Sequence, residues 1–235
     1  MARERIKGWR GSGWLGRTLW VLFVVIFAAP VTLLLVFRFL PVLGTPEMLL
    51  SLIEGKGAHY AWTDDISPVL GRSVIGSEDQ NFCSHHGFDF KALAQVMDEH
   101  RRHPDRPMRG ASTLSQQTAR TLFLAPVRSW IRKGAEAWLT VLEETLWPKK
   151  RILQAYLNLV DLGNGNFGAE AAAESYFHKS ARSLTPIEAA RLAAILPDPD
   201  VWNAERPSPY VASRAKTIVA LSAQVGRDGL DFCVR

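Results

Sequence analysis

The chain has 235 residues, 47% of them hydrophobic and 22% charged, with a formal net charge of +5 at pH 7. Its length fits one globular domain behind a short N-terminal segment, and it contains no internal repeat or low-complexity tract. Residues 1–17 carry a net +4 and Arg38 adds another positive charge, so residues 39–235 are neutral overall. A neutral domain argues against a nucleic-acid partner, which would require a basic face.

The first predicted element is a transmembrane helix over residues 18–38. Twenty residues without a charge, Thr18 to Phe37, are long enough to cross a hydrocarbon core of about 30 Å. A signal peptide or a buried helix is the alternative, but the run is longer than a signal core and is followed by Arg38 and Pro41. The basic tail, residues 1–17, predicts that the N-terminus is cytoplasmic and that the rest lies outside the cytoplasm.

A juxtamembrane linker is predicted over residues 39–60, and a mainly helical domain over residues 61–235. We hypothesise that five apolar linker residues dip into the outer leaflet: Met48, Leu49, Leu50, Leu52 and Ile53.

Periodicity and capping signals predict the helices of this domain, and period-2 strands are not evident. The Gly-rich stretch 163–168 and the Pro-rich stretch 197–209 are predicted to form turns. The predicted helices are Ser67–Ile75, Phe90–Arg101, Thr113–Leu124 opened by Ser112, Ser129–Leu146, Pro148–Leu157, Glu170–Phe177, and one from Thr185 that Pro197 stops.

Cys83 and Cys233 are the only cysteines. An exported domain permits a disulfide, but two cysteines so far apart do not establish one, and neither has a partner at metal-ligand spacing. Our interpretation is that both are free thiols.

Glu78 and Asp79 form an acidic pair after the apolar Val74-Ile75. A carboxylate at the edge of an apolar cleft has a raised pKa, which suits a general base. The pair taken alone favours the alternative, a solvated helix end. His85 and His86 are more typical of structural hydrogen bonding than of catalysis.

The next polar stretch is Ser112, Thr113, Ser115, Gln116 and Gln117. On a helix, Thr113, Gln117 and Arg120 share one face, which offers a hydroxyl, an amide and a fixed cation to a sugar or a phosphate. The alternative is an ordinary N-cap followed by a polar helix face.

The third stretch spaces Arg128, Arg132 and Glu136 by four residues each, with Lys133 adjacent. Surface ion pairs would explain any single pair. Four cations between two acidic sites, with Arg120 as the fourth, instead indicate a site for a diphosphate, whose oxygens match the arginine fork.

With these stretches in place, the chain resembles the family-51 glycosyltransferases of peptidoglycan synthesis, especially the monofunctional biosynthetic transglycosylases of Gram-negative bacteria. Three motifs carry the resemblance, and further agreement extends it over residues 70–200. Arg120 departs from the pattern, because the family usually has lysine there. The motifs are E-D-x-x-F-x-x-H-x-G-x-D at residues 78–89, G-x-S-T-x-x-Q-Q at residues 110–117 and R-K-x-x-E at residues 132–136.

The resemblance implies a lysozyme-like α-helical fold in the bacterial inner membrane, with the catalytic domain in the periplasm. It implies polymerisation of lipid II into β-1,4-linked glycan with release of undecaprenyl diphosphate. Glu78 would be the general base and Glu136 the second catalytic glutamate. The substrate would be bound by Asp79, Ser112, Thr113, Gln116, Gln117, Arg120, Arg128, Arg132 and Lys133.

The resemblance predicts no protein-bound metal, although Mg²⁺ or Mn²⁺ on the diphosphate is compatible with the family, and other wall-synthesis proteins are potential partners. Two rival functions stay open at this point. A lytic transglycosylase or lysozyme would cleave glycan and have no diphosphate to neutralise. A non-catalytic membrane-anchored scaffold would not need Glu78.

Overall fold

The computed structural model describes residues 11–105, 110, 112–127 and 129–235. The predicted diphosphate ligand Arg128, and most of the basic tail, therefore lie outside the described residues. The chain divides into two compact units, residues 1–40 and residues 41–235.

The described part of the first unit is helical. Helix α1 (Gly11–Phe23) leads through a π-helical stretch (Val24–Ala28) into α2 (Ala29–Phe37). Within this run, the 24-residue helical segment Trp14–Phe37 is long and apolar enough to cross a membrane. The helix thus begins ahead of the predicted start at Thr18, and its composition is consistent with an anchor.

The second unit is also mainly helical, as predicted. Its only strands among the described residues are two residues each, β1 (His59–Tyr60) and β2 (Asn166–Phe167), paired in parallel with His59 opposite Asn166. Such short strands leave no period-2 pattern to detect. Its helices are α3 (Pro46–Ile53), α4 (Pro68–Glu78), α5 (Phe90–Arg102), α6 (Leu114–Phe123), α7 (Trp130–Leu146), α8 (Lys149–Leu159), α9 (Ala169–Phe177), α10 (Pro186–Ile195) and α11 (Pro209–Arg227).

Local capping explains why most predicted boundaries hold. Ser129 caps α7 by accepting a hydrogen bond from the Arg132 amide, and Thr185 with Glu188 forms the predicted capping box of α10. The opening of α6 was predicted wrongly: Thr113, not Ser112, is its N-cap. Thr113 has extended backbone dihedrals, and its hydroxyl accepts from the Gln116 amide.

Helix α11 was not predicted, because the stretch after Pro209 was left without an element. The signal was present: Ser208 caps the helix, Pro209 occupies its first turn, and the buried residues Val211, Ala215 and Ile218 recur at helical spacing. The helix packs on α4 and α10. The two helices approach closely at Gly76 of α4, because this residue has no side chain: a Cβ there would lie only 3.1 Å from the Leu221 Cβ.

The cysteine interpretation was also wrong. Cys83 and Cys233 form a disulfide, with their Cα atoms 5.5 Å apart and 150 residues between them in sequence. Packing brings the C-terminal segment to the loop after α4, and Asp231 of that segment also pairs with Arg72 within α4 at 2.8 Å. Neither contact could be read from sequence separation.

Helix α3 presents only part of the predicted apolar face to solvent. Leu49, Leu52 and Ile53 are exposed. Met48 is buried and Leu50 is half-buried. The prediction that these two residues face the membrane is therefore corrected, because they lie on the side of α3 that faces its own domain.

Candidate active site

Glu78 is the last residue of α4 and lies among groups from two other helices. Its Oε2 accepts a long hydrogen bond, 3.5 Å, from Nε2 of Gln117 on α6. Its Oε1 lies 3.6 Å from Nη2 of Arg214 on α11, and its side chain is 17% exposed. Burial raises the pKa of Glu78, which the Gln117 hydrogen bond and the Arg214 charge only partly oppose.

Asp79 is buried, and its carboxylate has different partners from that of Glu78. Its carboxylate contacts Nε2 of His85 at 3.0 Å and accepts a 2.9 Å hydrogen bond from the backbone amide of Leu114 at the start of α6. Asp79 therefore ties the first motif to the second. His85 supports this carboxylate, in keeping with the scaffold role that its type suggested.

Thr113 and Gly87 make a second tie between the same two motifs. The Thr113 hydroxyl donates to the Gly87 carbonyl over 2.7 Å while also capping α6. Gly87 has φ +89°, and a Cβ there would lie 2.9 Å from Cγ2 of Thr140. Thr113 and Gln116, both predicted to bind substrate, are buried, and the Thr113 hydroxyl and Gln116 Oε1 are hydrogen-bonded in the capping box.

Gln117 is the centre of the site. Its Nε2 donates to Glu78 and, over 3.3 Å, to the backbone carbonyl of Ser112. Its Oε1 accepts a 3.2 Å hydrogen bond from the Tyr156 hydroxyl on α8. The Tyr156 hydroxyl is buried, which raises its pKa well above the usual value and keeps it a neutral donor. Both ends of the amide therefore have fixed partners.

Ser112 continues the network to the second glutamate. Nζ of Lys133 donates to the Ser112 hydroxyl over 3.2 Å and forms an ion pair with Oε1 of Glu136. Nη1 of Arg132 pairs with the other oxygen of Glu136 at 3.1 Å. Glu136 is fully buried, whereas the Lys133 side chain is 43% exposed.

Of the four cations predicted to bind a diphosphate, the structure joins two through a shared partner. Arg132 and Lys133 share Glu136, as above, and Arg128 is outside the described residues. Arg120 lies near Glu47 and Tyr156: burial raises the pKa of both groups, and the Arg120 charge partly opposes that rise.

Charge is distributed unequally between the two halves of the site. At the first half, one carboxylate, Glu78, faces one guanidinium, that of Arg214. At the second half, the single carboxylate of Glu136 faces two cations, which leaves an excess positive charge. Nε of Arg132 also has no hydrogen-bond partner in the part of the chain described. The first half can accept a proton, and the second can stabilise an anion.

Sequence reasoning missed Arg214 and Tyr156. Tyr156 lies in the matched Tyr156-Leu157-Asn158 segment, but no role was assigned to it. Arg214 was missed together with α11.

The three carboxylates of the site, those of Glu78, Asp79 and Glu136, already have partners. Glu78 faces Gln117 and Arg214, Asp79 is hydrogen-bonded to His85 and Leu114, and Glu136 has two cations. No group of three or more His, Cys, Asp or Glu suited to a metal occurs among the residues described.

Comparison with known proteins agrees with this geometry. The family model described as Transglycosylase matches residues 47–222. The chain is 49% identical over 215 residues to a biosynthetic peptidoglycan transglycosylase of Caulobacter vibrioides, covering 91% of this chain and 93% of the relative. It is 48% identical over 207 residues to one of Rhodospirillum centenum, covering 87% and 89%. A third relative with the same name, from Chromohalobacter salexigens, is 46% identical over 224 residues, covering 91% and 95%.

The matched span contains the whole network that joins the two glutamates. Its residues are Glu78, Arg214, Gln117, Tyr156, Ser112, Lys133, Arg132 and Glu136. The chain therefore belongs to the transglycosylase family of enzymes.

Proposed function

We propose that this transglycosylase polymerises lipid II into β-1,4-linked peptidoglycan strands and releases undecaprenyl diphosphate. One observation carries the proposal: a single hydrogen-bonded network has a carboxylate that can act as a base, Glu78, at one end and two cations around Glu136 at the other. Cleavage of finished glycan would need an acid beside the glycosidic oxygen but no excess cations for a leaving diphosphate.

Glu78 acts on the acceptor. The acceptor's GlcNAc 4-hydroxyl oxygen attacks C1 of the donor MurNAc, and Glu78 takes the hydroxyl proton as the new C–O bond forms. The raised pKa of this buried carboxylate matches a base that must accept a proton near neutral pH. Attack on the face opposite the leaving group inverts the anomeric centre.

Lys133 and Arg132 act on the leaving group. As the bond from C1 to the diphosphate oxygen breaks, its electron pair stays on that oxygen. The exposed ammonium of Lys133 and the surplus charge around Glu136 support stabilisation of this anion. We assign Arg128 to the same task, and Arg120 to the diphosphate on the Tyr156 side. Glu136 holds the two cations in place.

The N-terminal helix supports a membrane location, because both substrates carry lipid tails. We propose a single-pass inner-membrane protein with its N-terminus in the cytoplasm and residues 41–235 in the periplasm. A divalent cation, in this proposal, is bound by the diphosphate of the substrate, since the site carboxylates Glu78, Asp79 and Glu136 are already paired.

The test is incubation of the full chain with lipid II in detergent, with Glu78→Gln as the matched variant. Wild type should give long glycan strands, and Glu78→Gln should lose at least about 100-fold in rate while melting normally. Release of anhydro-muropeptides from purified sacculi, without polymer from lipid II, would instead identify a lytic enzyme. Equal polymer from both proteins would remove Glu78 from the reaction.

A further inference from the structure

Glu78 occupies a position that disfavours a negative charge. It is largely buried at the C-terminal end of α4, where the helix dipole is negative, and Asp79 follows it directly. Its partner on α6, Gln117, is neutral, and so is Tyr156 on α8. A general base in this position needs a compensating positive charge, because only the ionised carboxylate can accept the proton.

Arg214 supplies that charge from α11. Its Nη2 lies 3.6 Å from Oε1 of Glu78, and within the described residues no other cation is in ion-pair distance of this carboxylate. Its side chain is 26% exposed, so the pair is screened less than one on the surface.

The guanidinium is itself held in place. Nε of Arg214 donates to the carbonyl of Ala194 over 3.3 Å. Ala194 lies in the last turn of α10, where the carbonyl ends of the helix attract a cation. Arg214 therefore bridges the C-terminal ends of α10 and α4, and its position is fixed by the packing of α11 against both helices.

We propose that Arg214 is a positioning residue for the general base, holding the Glu78 carboxylate ionised and oriented toward the acceptor hydroxyl. This rests on the proposed function of Glu78. Arg214 makes no bond in the reaction. When Glu78 takes the acceptor proton, its carboxylate becomes neutral, and the half-buried guanidinium favours return of that proton to solvent before the next cycle.

The consequence is a specific pH dependence. The groups facing Glu78 are Asp79 on its own chain segment, Gln117 on α6, Tyr156 on α8 and Arg214 on α11. The Arg214 charge lowers the pKa of Glu78, in opposition to burial. Without it, Glu78 would be protonated, and therefore inactive as a base, up to a higher pH.

The experiment compares full-length wild type, Arg214→Met and Arg214→Lys in initial-rate polymerisation of lipid II across pH. For Arg214→Met we expect the acid limb of kcat to move up by about one pH unit, with a rate about 10-fold lower below the midpoint and recovery at alkaline pH. KM should change little. Arg214→Lys keeps a cation but not the forked geometry, so its acid limb should fall between the two.

Lys216→Met is the control, because it removes a positive charge from an exposed position on the same helix. It should leave the pH profile unchanged. An Arg214→Met profile with an unmoved acid limb, or a loss of rate that does not recover at high pH in a folded protein, would overturn the proposal. If Arg214→Met does not fold, an unshifted acid limb in Arg214→Lys would overturn it equally.

The failure of this inference is distinguishable from failure of the proposed function. If wild type does not polymerise lipid II at any pH, the function itself is wrong. If wild type is active and Glu78→Gln is inactive, the position of the acid limb in the Arg214 variants decides the role of Arg214 alone.

Discussion

The Tyr156 hydroxyl donates to Oε1 of Gln117 over 3.2 Å, and this bond helps to hold the amide with its Nε2 toward Glu78. With Oε1 occupied, Nε2 is the end that reaches Oε2 of Glu78 and the Ser112 carbonyl. A flipped amide would set Oε1 against two other acceptors, the Glu78 carboxylate and the Ser112 carbonyl. Tyr156 thus orients the base through Gln117.

Tyr156→Phe should therefore lower kcat about 3- to 10-fold, the equivalent of one lost hydrogen bond, with little change in KM. The reason is that the Gln117 amide loses the partner of its Oε1 and is held less firmly against Glu78. Initial rates on lipid II measure the effect. Tyr176→Phe is a matched control, because Tyr176 also makes a buried hydrogen bond, to the Leu162 carbonyl at 2.8 Å. Equal rate losses in the two variants would contradict a specific role for Tyr156.

Lys133→Met should lower kcat by at least about 100-fold, since it removes an exposed cation from the half of the site assigned to the leaving diphosphate. Lys149→Met provides the comparison: Lys149 pairs with Glu144 at 2.6 Å and is only 12% exposed. That variant should lose stability but keep its rate per folded molecule. A Lys133→Met enzyme with a normal rate would show that the diphosphate is stabilised elsewhere.

Glu143→Leu should raise the stability of the protein at pH 7 by about 1–3 kcal/mol. Glu143 is fully buried, both its oxygens lack a hydrogen-bond partner among the described residues, and burial raises its pKa well above the usual 4.5. The folded state therefore holds a proton that the unfolded state releases.

This proton uptake sets the sign of the pH dependence. Wild-type stability from this group is fully present below about pH 4.5 and is lost as pH rises from there toward the folded-state pKa. The advantage of Glu143→Leu should accordingly grow between pH 4.5 and pH 7 in urea unfolding. Glu144→Leu should be destabilising instead, because Glu144 pairs with Lys149 and Ser115. An advantage independent of pH would show that Glu143 is not a buried neutral acid.

Replacing both Cys83 and Cys233 with alanine should destabilise the domain by about 2–5 kcal/mol, because the disulfide closes a 150-residue separation and limits the unfolded chain. A reductant should lower the unfolding midpoint of wild type to that of the variant and leave the variant unaffected. Two titratable thiols in the unfolded, unreduced protein would contradict the disulfide.

Leu49, Leu52 and Ile53 together changed to serine should weaken binding of residues 41–235 to liposomes several-fold, since these exposed side chains form the apolar face of α3. Flotation with anionic vesicles measures binding. Serine at Ile187 and Val201, which are exposed on other parts of the domain, is the control. Equal binding by both variants would remove α3 from the membrane contact.

What the sequence determined by itself is local. The caps Ser129 and Thr185 form hydrogen bonds within their own first turn, so residue type and spacing predict them without knowledge of the fold. The same holds for the uncharged run Thr18–Phe37, whose length and composition predict a membrane span, and the structure has a helix of that kind over Trp14–Phe37. The motif residues could be named on the same basis, as types at fixed spacing.

Only tertiary structure decided how those residues work. Glu78 meets Arg214 because α11 packs on α4, where Gly76 permits the approach, and Cys83 meets Cys233 through the same folding back of the chain. Thr113 belongs to the motif, but its hydroxyl donates to the Gly87 carbonyl and accepts from the Gln116 amide as the cap of α6. Contacts across such separations depend on how helix faces pack against each other. Local periodicity predicts that a helix has a buried face, but not which residues that face will contact.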